Sequence, residues 1–137
     1  MESRFEAHGD FSWCELLTRD VEGAKRFYTE VLGWEMGQLP VEGEPYTVIK
    51  TGDREIGGIM RMPAQIPAGT PPHWESYVTV DDVDAVARKA EENGGRILVP
   101  PTDIPHVARF CTFQDLQGAV LCAITYEKGG QGLTSIV

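Results

Sequence analysis

The chain has little of what several protein classes require. No stretch approaches the roughly 18 apolar residues needed to cross a bilayer. The N-terminal MESRFEAHGDFSW has no apolar h-region, so neither a membrane span nor a secretion signal is expected. Only 12 residues are Lys or Arg against 21 Asp or Glu, a formal charge of −9. The basic residues form no stripe. A nucleic-acid partner is not expected, because phosphate neutralisation needs clustered cations. There are three cysteines, Cys14, Cys111 and Cys122, with no C-x-x-C spacing. That excludes a disulfide framework and predicts reduced thiols, serving as small core residues, in a cytoplasmic protein.

What the chain does have is an internal repeat. Asp20 opens the amphipathic run DVEGAKRFYTEVLGW, and Asp82, 62 residues later, opens DVDAVARKAEENGGR. The same offset carries Gly33-Trp34 onto Gly95-Arg96, Asp53 onto Asp115 and Met60 onto Cys122. A constant offset over most of a 137-residue chain predicts two copies of one supersecondary unit that bury a face together.

Each copy reads as strand, helix and three strands. FSWCELLT is the first strand. Asp20 is a helix N-cap, and Gly33 is the C-terminal stop. Ala24, Phe27, Tyr28, Val31 and Leu32 recur at helical spacing and predict one buried stripe. Strands are expected near 34–39, 46–50 and 55–62, with Gly43-Glu44-Pro45 and Gly52-Asp53 as turns. In the second copy HWESYVTV is the strand, Val83, Val86, Ala87 and Ala90 the helix face, and Gly94-Gly95 the stop. Strands follow near 96–100, 108–113 and 119–126. The fold class is therefore α+β, with two βαβββ modules at about 9–62 and 72–127. Together they form one eight-stranded cupped mixed sheet with helices on its outer face. One domain spans 9–127, PAQIPAGTPP links the modules, and 128–137 is a loosely held tail.

Strand alternation sorts side chains by face. Phe11, Trp13, Glu15 and Leu17 share the inner face of the first strand, and His73, Glu75, Tyr77 and Thr79 that of the fifth. Gly58, Met60 and Met62 line the fourth, and Val120, Cys122 and Ile124 the eighth. Cys14, Leu16, Val78, Val80, Leu121 and Ala123 turn to the helices as core. An inner face rich in aromatic and thioether groups, with a few polar ones, suits a small organic ligand. Glu75, among Trp and Tyr neighbours, is the candidate general base, or else a structural carboxylate. Arg109 is placed to meet a ligand acid or Glu75, or to form a structural ion pair. His106 lines the rim or lies in a solvated loop. Cys122 is a nucleophile only if activated.

The doubled βαβββ order, the D-helix-F-Y-x-x-V-L-G-W signature and QDLQGAV near the end of the second copy resemble the vicinal oxygen chelate superfamily. Its members include glyoxalases, extradiol dioxygenases and bleomycin-resistance proteins. The resemblance covers about residues 9–127. It implies a metal held by one residue near the start of each unit's first strand and one in each last strand, and it implies a homodimer. The corresponding positions here are Trp13, Met60, Glu75 and Cys122. Trp offers no lone pair to a metal and Met suits only soft ions. A Lewis-acid metal needs about three His, Glu or Asp ligands. No metal or other cofactor is therefore expected at these four positions. A register shift would leave His73–Glu75, joined by Glu15, as an alternative divalent site. Exposed apolar residues around Ile66 and in the tail are the sequence's support for dimerisation.

Three functions follow. The first is a metal-free binder of a small, largely apolar or aromatic molecule, held in a cup between the modules by Trp13, Glu15, Met60, His73, Tyr77, Arg109 and Cys122. The second is a lyase- or dioxygenase-type enzyme using Glu75 as metal ligand or general base. The third is a structural or regulatory module whose cup is filled by its own side chains.

Overall fold

The computed structural model describes residues 3–39 and 45–127. After a short 3-10 turn at Ser3–Phe5 come β1 (Phe11–Thr18), α1 (Val21–Leu32), β2 (Glu35–Leu39), β3 (Tyr46–Thr51) and β4 (Arg54–Arg61). The pattern then repeats as β5 (His73–Thr79), α2 (Val83–Glu92), β6 (Arg96–Ile104), β7 (Ala108–Gln114) and β8 (Val120–Tyr126). β1 and β5 start 62 residues apart, as do α1 and α2, and β3 and β7. The strands form one mixed eight-stranded sheet in the order β2-β3-β4-β1-β5-β8-β7-β6, not closed into a barrel. The turn expected at Gly43-Glu44 and the tail 128–137 lie outside the described residues.

The chain divides into two compact units, one of residues 13–75 and one of the N-terminal segment up to Ser12 with the chain from Ser76. In the first, β1 runs parallel to β4, with Cys14 opposite Gly57 and Leu17 opposite Met60, and β2, β3 and β4 form an antiparallel meander. Asp20 accepts a hydrogen bond from the Gly23 N–H at 2.9 Å, and Gly33 closes α1 at φ 73°. Both ends were legible, because a carboxylate satisfies an otherwise unpaired N–H and only glycine enters the left-handed region cheaply. Leu16, Ile49 and Ile59 make the core under α1, with Val21, Ala24 and Tyr28 packed on it.

The buried stripe of α1 is narrower than its periodicity suggested. Phe27, Val31 and Leu32 are exposed. The sheet layer covers only the Val21–Ala24–Tyr28 row, so apolar residues on either side and in the last turn are left in solvent. Cys14, assigned to the core by alternation, is also exposed, and so is Phe11.

In the other unit β5 runs parallel to β8, with Tyr77 opposite Cys122, and β8, β7 and β6 are antiparallel. Val83 and Ala87 of α2 pack on Val80, Cys111 and Ala123. The N-terminal segment belongs here. Phe5 is buried edge-on against Tyr126, with ring centroids 4.9 Å apart, and the Ser12 and Tyr126 hydroxyls lie 2.9 Å apart.

Candidate functional site

In the unit of residues 13–75, Leu16, Ile49 and Ile59 point to α1. The opposite face therefore carries Trp13, Glu15 and Leu17 from β1, Gly58 and Met60 from β4, and Tyr46 and Val48 from β3. Trp74 packs edge-on to Tyr28 at 5.5 Å, on the α1 side. His73 and Glu75 on β5 thus turn to the same face as Trp13.

A directed hydrogen-bond chain runs across this face. The Trp13 indole N–H donates to the Tyr46 hydroxyl at 3.0 Å, and that hydroxyl donates to Glu15 Oε2 at 2.6 Å. Such chains polarise one another, and the short bond to a carboxylate is the strong kind. Trp13 and Glu15 are 5% and 6% exposed, so water competes little with either bond. Gly58 makes the arrangement possible. A β-carbon there would fall on the Tyr46 hydroxyl and ring edge. Gly58 stands opposite Val48 on one side and Glu15 on the other, so the phenol crosses the bare strand to reach β1.

Tyr46 was not singled out by sequence reasoning. Its signal was available as two separate facts: it shares a strand face with Val48, and the facing strand has a glycine.

His73 and Glu75 come together as alternation predicts, Nε2 to Oε2 at 3.4 Å. The other ring nitrogen, Nδ1, lies 2.9 Å from the Pro71 carbonyl. A carbonyl only accepts, so Nδ1 carries a proton, and Nε2 meets a carboxylate oxygen. Met60 is half-buried opposite Leu17.

The remaining candidates lie in the other unit. Arg109 is clamped: its Nε and Nη2 donate to the two Asp84 oxygens, each at 3.0 Å, and Nη1 donates to Asp103 at 2.9 Å. The hydrogen bonds to Arg109 hold Asp84 below the usual carboxylate range, and Asp84 in turn raises the already high affinity of the guanidinium for its proton. The clamp ties the first turn of α2 to the β6–β7 pair. Tyr77 is buried and tilted against Phe110 at 6.3 Å. His106 takes a left-handed conformation, φ 66°, in the exposed turn between β6 and β7. Cys122 is fully buried with Sγ 3.2 Å from the Thr112 hydroxyl.

Burial also pushes the Cys111 thiol up, while Cys14 is exposed. Because the thiolate is the reactive form, a thiol-reactive chromophore added to the native protein should label one equivalent rapidly, at Cys14. Cys111 and Cys122 should follow only on unfolding. A Cys14→Ser variant that keeps the fast phase would contradict this placement.

The superfamily's metal positions hold a donor set that does not fit a divalent ion. The Trp13 nitrogen is a donor already directed at Tyr46, the Met60 thioether is soft, and the Cys122 sulfur is buried beside Thr112. Among the described residues no group of three or more His, Cys, Asp or Glu side chains converges as a metal cage.

Fold and site together define a protein of the βαβββ-repeat type. The pattern of the Glyoxalase/Bleomycin resistance protein/Dioxygenase superfamily matches residues 10–123, and the chain belongs to that superfamily. It is 41% identical over 117 residues to CFP32 of Mycobacterium tuberculosis, whose name assigns it provisionally to the glyoxylases. It is 27% identical over 135 residues to the anthracycline biosynthesis protein DnrV of Streptomyces peucetius. These matches take in 85% and 90% of this chain but only 44% and 48% of the relatives, so the chain spans about half their length. A glyoxylase-like domain-containing protein of Didymella fabae is 32% identical over 118 residues, covering 81% of this chain and 89% of that protein. Among solved structures, methylmalonyl-CoA epimerase from Mycobacterium tuberculosis superposes with a TM-score of 0.61 at 15% identity, covering 85% of this chain and 86% of that one. A Mn(II)-bound glyoxalase from Novosphingobium aromaticivorans gives 0.58 at 15% identity, covering 85% of this chain and 38% of that one. At those identities the likeness is one of fold. No helix of the described chain is long and apolar enough to cross a membrane.

Proposed function

We propose that the chain binds a small, largely apolar or aromatic organic molecule without a divalent metal, on the face of residues 13–75 opposite α1. Tyr46, backed by the buried Trp13, supplies ring surface, Met60 supplies an adaptable thioether wall, and Glu75 with His73 supplies the polar contact. The observation that carries this reading is the Trp13–Tyr46–Glu15 hydrogen-bond chain. It stands where relatives of this fold would place a first-strand metal ligand, and it holds two rings rigidly with their polar atoms directed at each other. Rigid rings with satisfied polar edges recognise apolar surface at low entropic cost. Arg109 serves the α2 clamp. Three free cysteines accord with a cytoplasmic setting.

The His73–Glu75 pair supports a second reading, a metal-independent enzyme in which Glu75 moves a proton to or from the bound molecule. The observation behind it is that Glu75 Oε2 and His73 Nε2 lie 3.4 Å apart on this face, two groups of the types that transfer protons.

The test is intrinsic Trp fluorescence during a screen of small metabolites and aromatic compounds. Glu75→Gln should weaken a hit by about 1.5–3 kcal/mol, the range for a charged hydrogen bond. Zinc, nickel, manganese and iron(II) should leave the melting temperature unchanged, whereas an ion at 100 times its dissociation constant would add about 2.7 kcal/mol. Hits indifferent to both Glu75→Gln and Tyr46→Phe would place the ligand elsewhere. A large metal-induced stabilisation would remove the metal-free part of the reading. Conversion of a hit that Glu75→Gln abolishes would select the enzyme.

A further inference from the structure

The linker that leads into β5 is exposed over most of its length, yet it is held at defined points. Ile66, expected from the sequence to be exposed, is half-buried within it. The Met62 N–H donates to the Thr18 carbonyl at 2.9 Å, and the Thr70 N–H closes a turn onto the Pro67 carbonyl at 2.9 Å. Arg19, just past the end of β1, grips both ends of that turn. Its Nη1 donates to the Thr70 carbonyl at 2.7 Å, and its Nη2 donates to the Pro67 carbonyl at 3.1 Å. Arg61 Nη1 in turn donates to the Arg19 carbonyl at 3.0 Å. A guanidinium suits such a bridge because its donors form a rigid planar fork. The repeat does not require either residue. The 62-residue offset carries Arg19 onto Asp81 and Arg61 onto Ala123. Neither of those side chains can donate to a carbonyl in this way.

We infer that Arg19 is a positioning residue for the His73–Glu75 pair. The path from the turn to the pair is short and stiff. Only Pro71 and Pro72 stand between Thr70 and His73. Each proline ring locks its own φ at about −65°, and each proline confines the residue before it to extended backbone. Holding the Thr70 carbonyl therefore narrows the directions open to the Pro71 carbonyl. That carbonyl accepts from His73 Nδ1 at 2.9 Å. The tautomer of an imidazole is set by the hydrogen bond that one of its nitrogens makes. With Nδ1–H held by Pro71, Nε2 is the nitrogen turned to Glu75 Oε2 at 3.4 Å. Arg19 thus selects which nitrogen the binding face receives, without itself being one of the contacts named for the ligand. The functional weight of this inference rests on the reading of His73 and Glu75 as the polar contact of the site. The geometry is tested without a ligand.

Nitrogen-15 NMR of the imidazole rings reads the tautomer directly. In the ligand-free protein at a pH of about 9, above the ordinary imidazole range, His73 should be in its Nδ1–H form. His8 is an internal reference of the opposite kind. Its Nδ1 accepts from the Asp81 N–H at 2.9 Å, so its ring proton sits on Nε2. Arg19→Met should lower the ratio of Nδ1–H to Nε2–H at His73 about three- to tenfold, the change that one net hydrogen bond supplies. His8 and the circular dichroism should not change, because Arg19 is exposed. Lys25→Met, which removes another cation of the same unit, should leave both rings as they were. Pro72→Gly frees the link while keeping Arg19, and it should shift His73 in the same direction. Adding Arg19→Met to it should then alter the ratio less than about twofold, within ordinary additivity error. A His73 already in the Nε2–H form overturns the proposal. So does a ratio that Arg19→Met leaves in place, or two substitutions whose effects multiply. Any aromatic hit that Glu75→Gln weakens should also lose about threefold or more in Arg19→Met. An empty metabolite screen would remove the binding reading and leave the positioning intact. An unmoved tautomer beside responsive hits would remove the positioning alone.

Discussion

Gly57→Ala should destabilise the protein by about 2–3 kcal/mol or more, at the upper end of what overpacking costs. Gly57 lies opposite Cys14 where β4 runs parallel to β1. A β-carbon at position 57 would collide with the Cys14 carbonyl oxygen and stand 3.6 Å from Ile49 Cδ1. A flexible side chain could swing aside, but this obstacle is backbone inside a sheet ladder, and Ile49 is 1% exposed. Relief requires β1 and β4 to separate, which loosens the strand that carries Trp13 and Glu15. A loss of this size should lower the melting temperature by several degrees per kcal/mol. Gly69→Ala is the control, because a β-carbon there meets nothing within 4 Å. Urea denaturation of both variants decides it. A change under about 0.5 kcal/mol for Gly57→Ala, the range of an ordinary surface substitution, would mean that the strands do not approach as described.

Tyr46→Phe should cost about 2–4 kcal/mol, although it deletes a single oxygen from a half-buried side chain. The hydroxyl accepts from Trp13 and donates to Glu15, and both of those residues are buried. Removing it takes one partner from a buried indole N–H and one from a buried carboxyl group. The penalty for such groups is about 1–3 kcal/mol each. Glu15→Gln should cost less, since its amide can still accept from the phenol. The informative quantity is the coupling between the two substitutions. Combining Tyr46→Phe with Glu15→Gln should give a loss smaller than the sum of the singles by more than about 0.5 kcal/mol, the limit of ordinary additivity. Strict additivity would show that the two side chains do not share a bond in solution. The Trp13 emission should shift in Tyr46→Phe and remain in place in Gly69→Ala, because only the former changes the indole's hydrogen bond.

Much of the architecture was legible locally. Asp20 and Asp82 cap the helices, Gly33 ends one of them, and the 62-residue offset reappears in the starts of three pairs of elements. These features survive because capping, left-handed turns and strand alternation act over a few residues, where sequence neighbours are also spatial neighbours. Alternation also placed His73 beside Glu75, and Trp13 with Glu15 on the face away from α1.

What the sequence could not supply was the extent of cover and the choice of partners. Helical spacing marked Phe27, Val31 and Leu32 as apolar, but only the placement of the sheet decides how wide a stripe it shields, and it shields the Val21–Ala24–Tyr28 row. Strand alternation marked Cys14 as core, yet whether anything lies over an inward position depends on elements far along the chain. Arg109 had several acidic groups available in the sequence, and the packing of α2 against β7 decided for Asp84 and Asp103. Tyr46 is the clearest case. Its hydroxyl joins Trp13 and Glu15, 33 and 31 residues away in sequence, across a gap left by Gly58. Periodicity specifies which face a side chain takes, whereas a hydrogen bond across strands depends on register and on what the intervening residue lacks. The sequence by itself therefore determined the repeated unit, its helix ends and its two faces. The tertiary structure alone decided which apolar residues remain in solvent and which polar atoms meet, because both depend on distances between strands that no local rule sets.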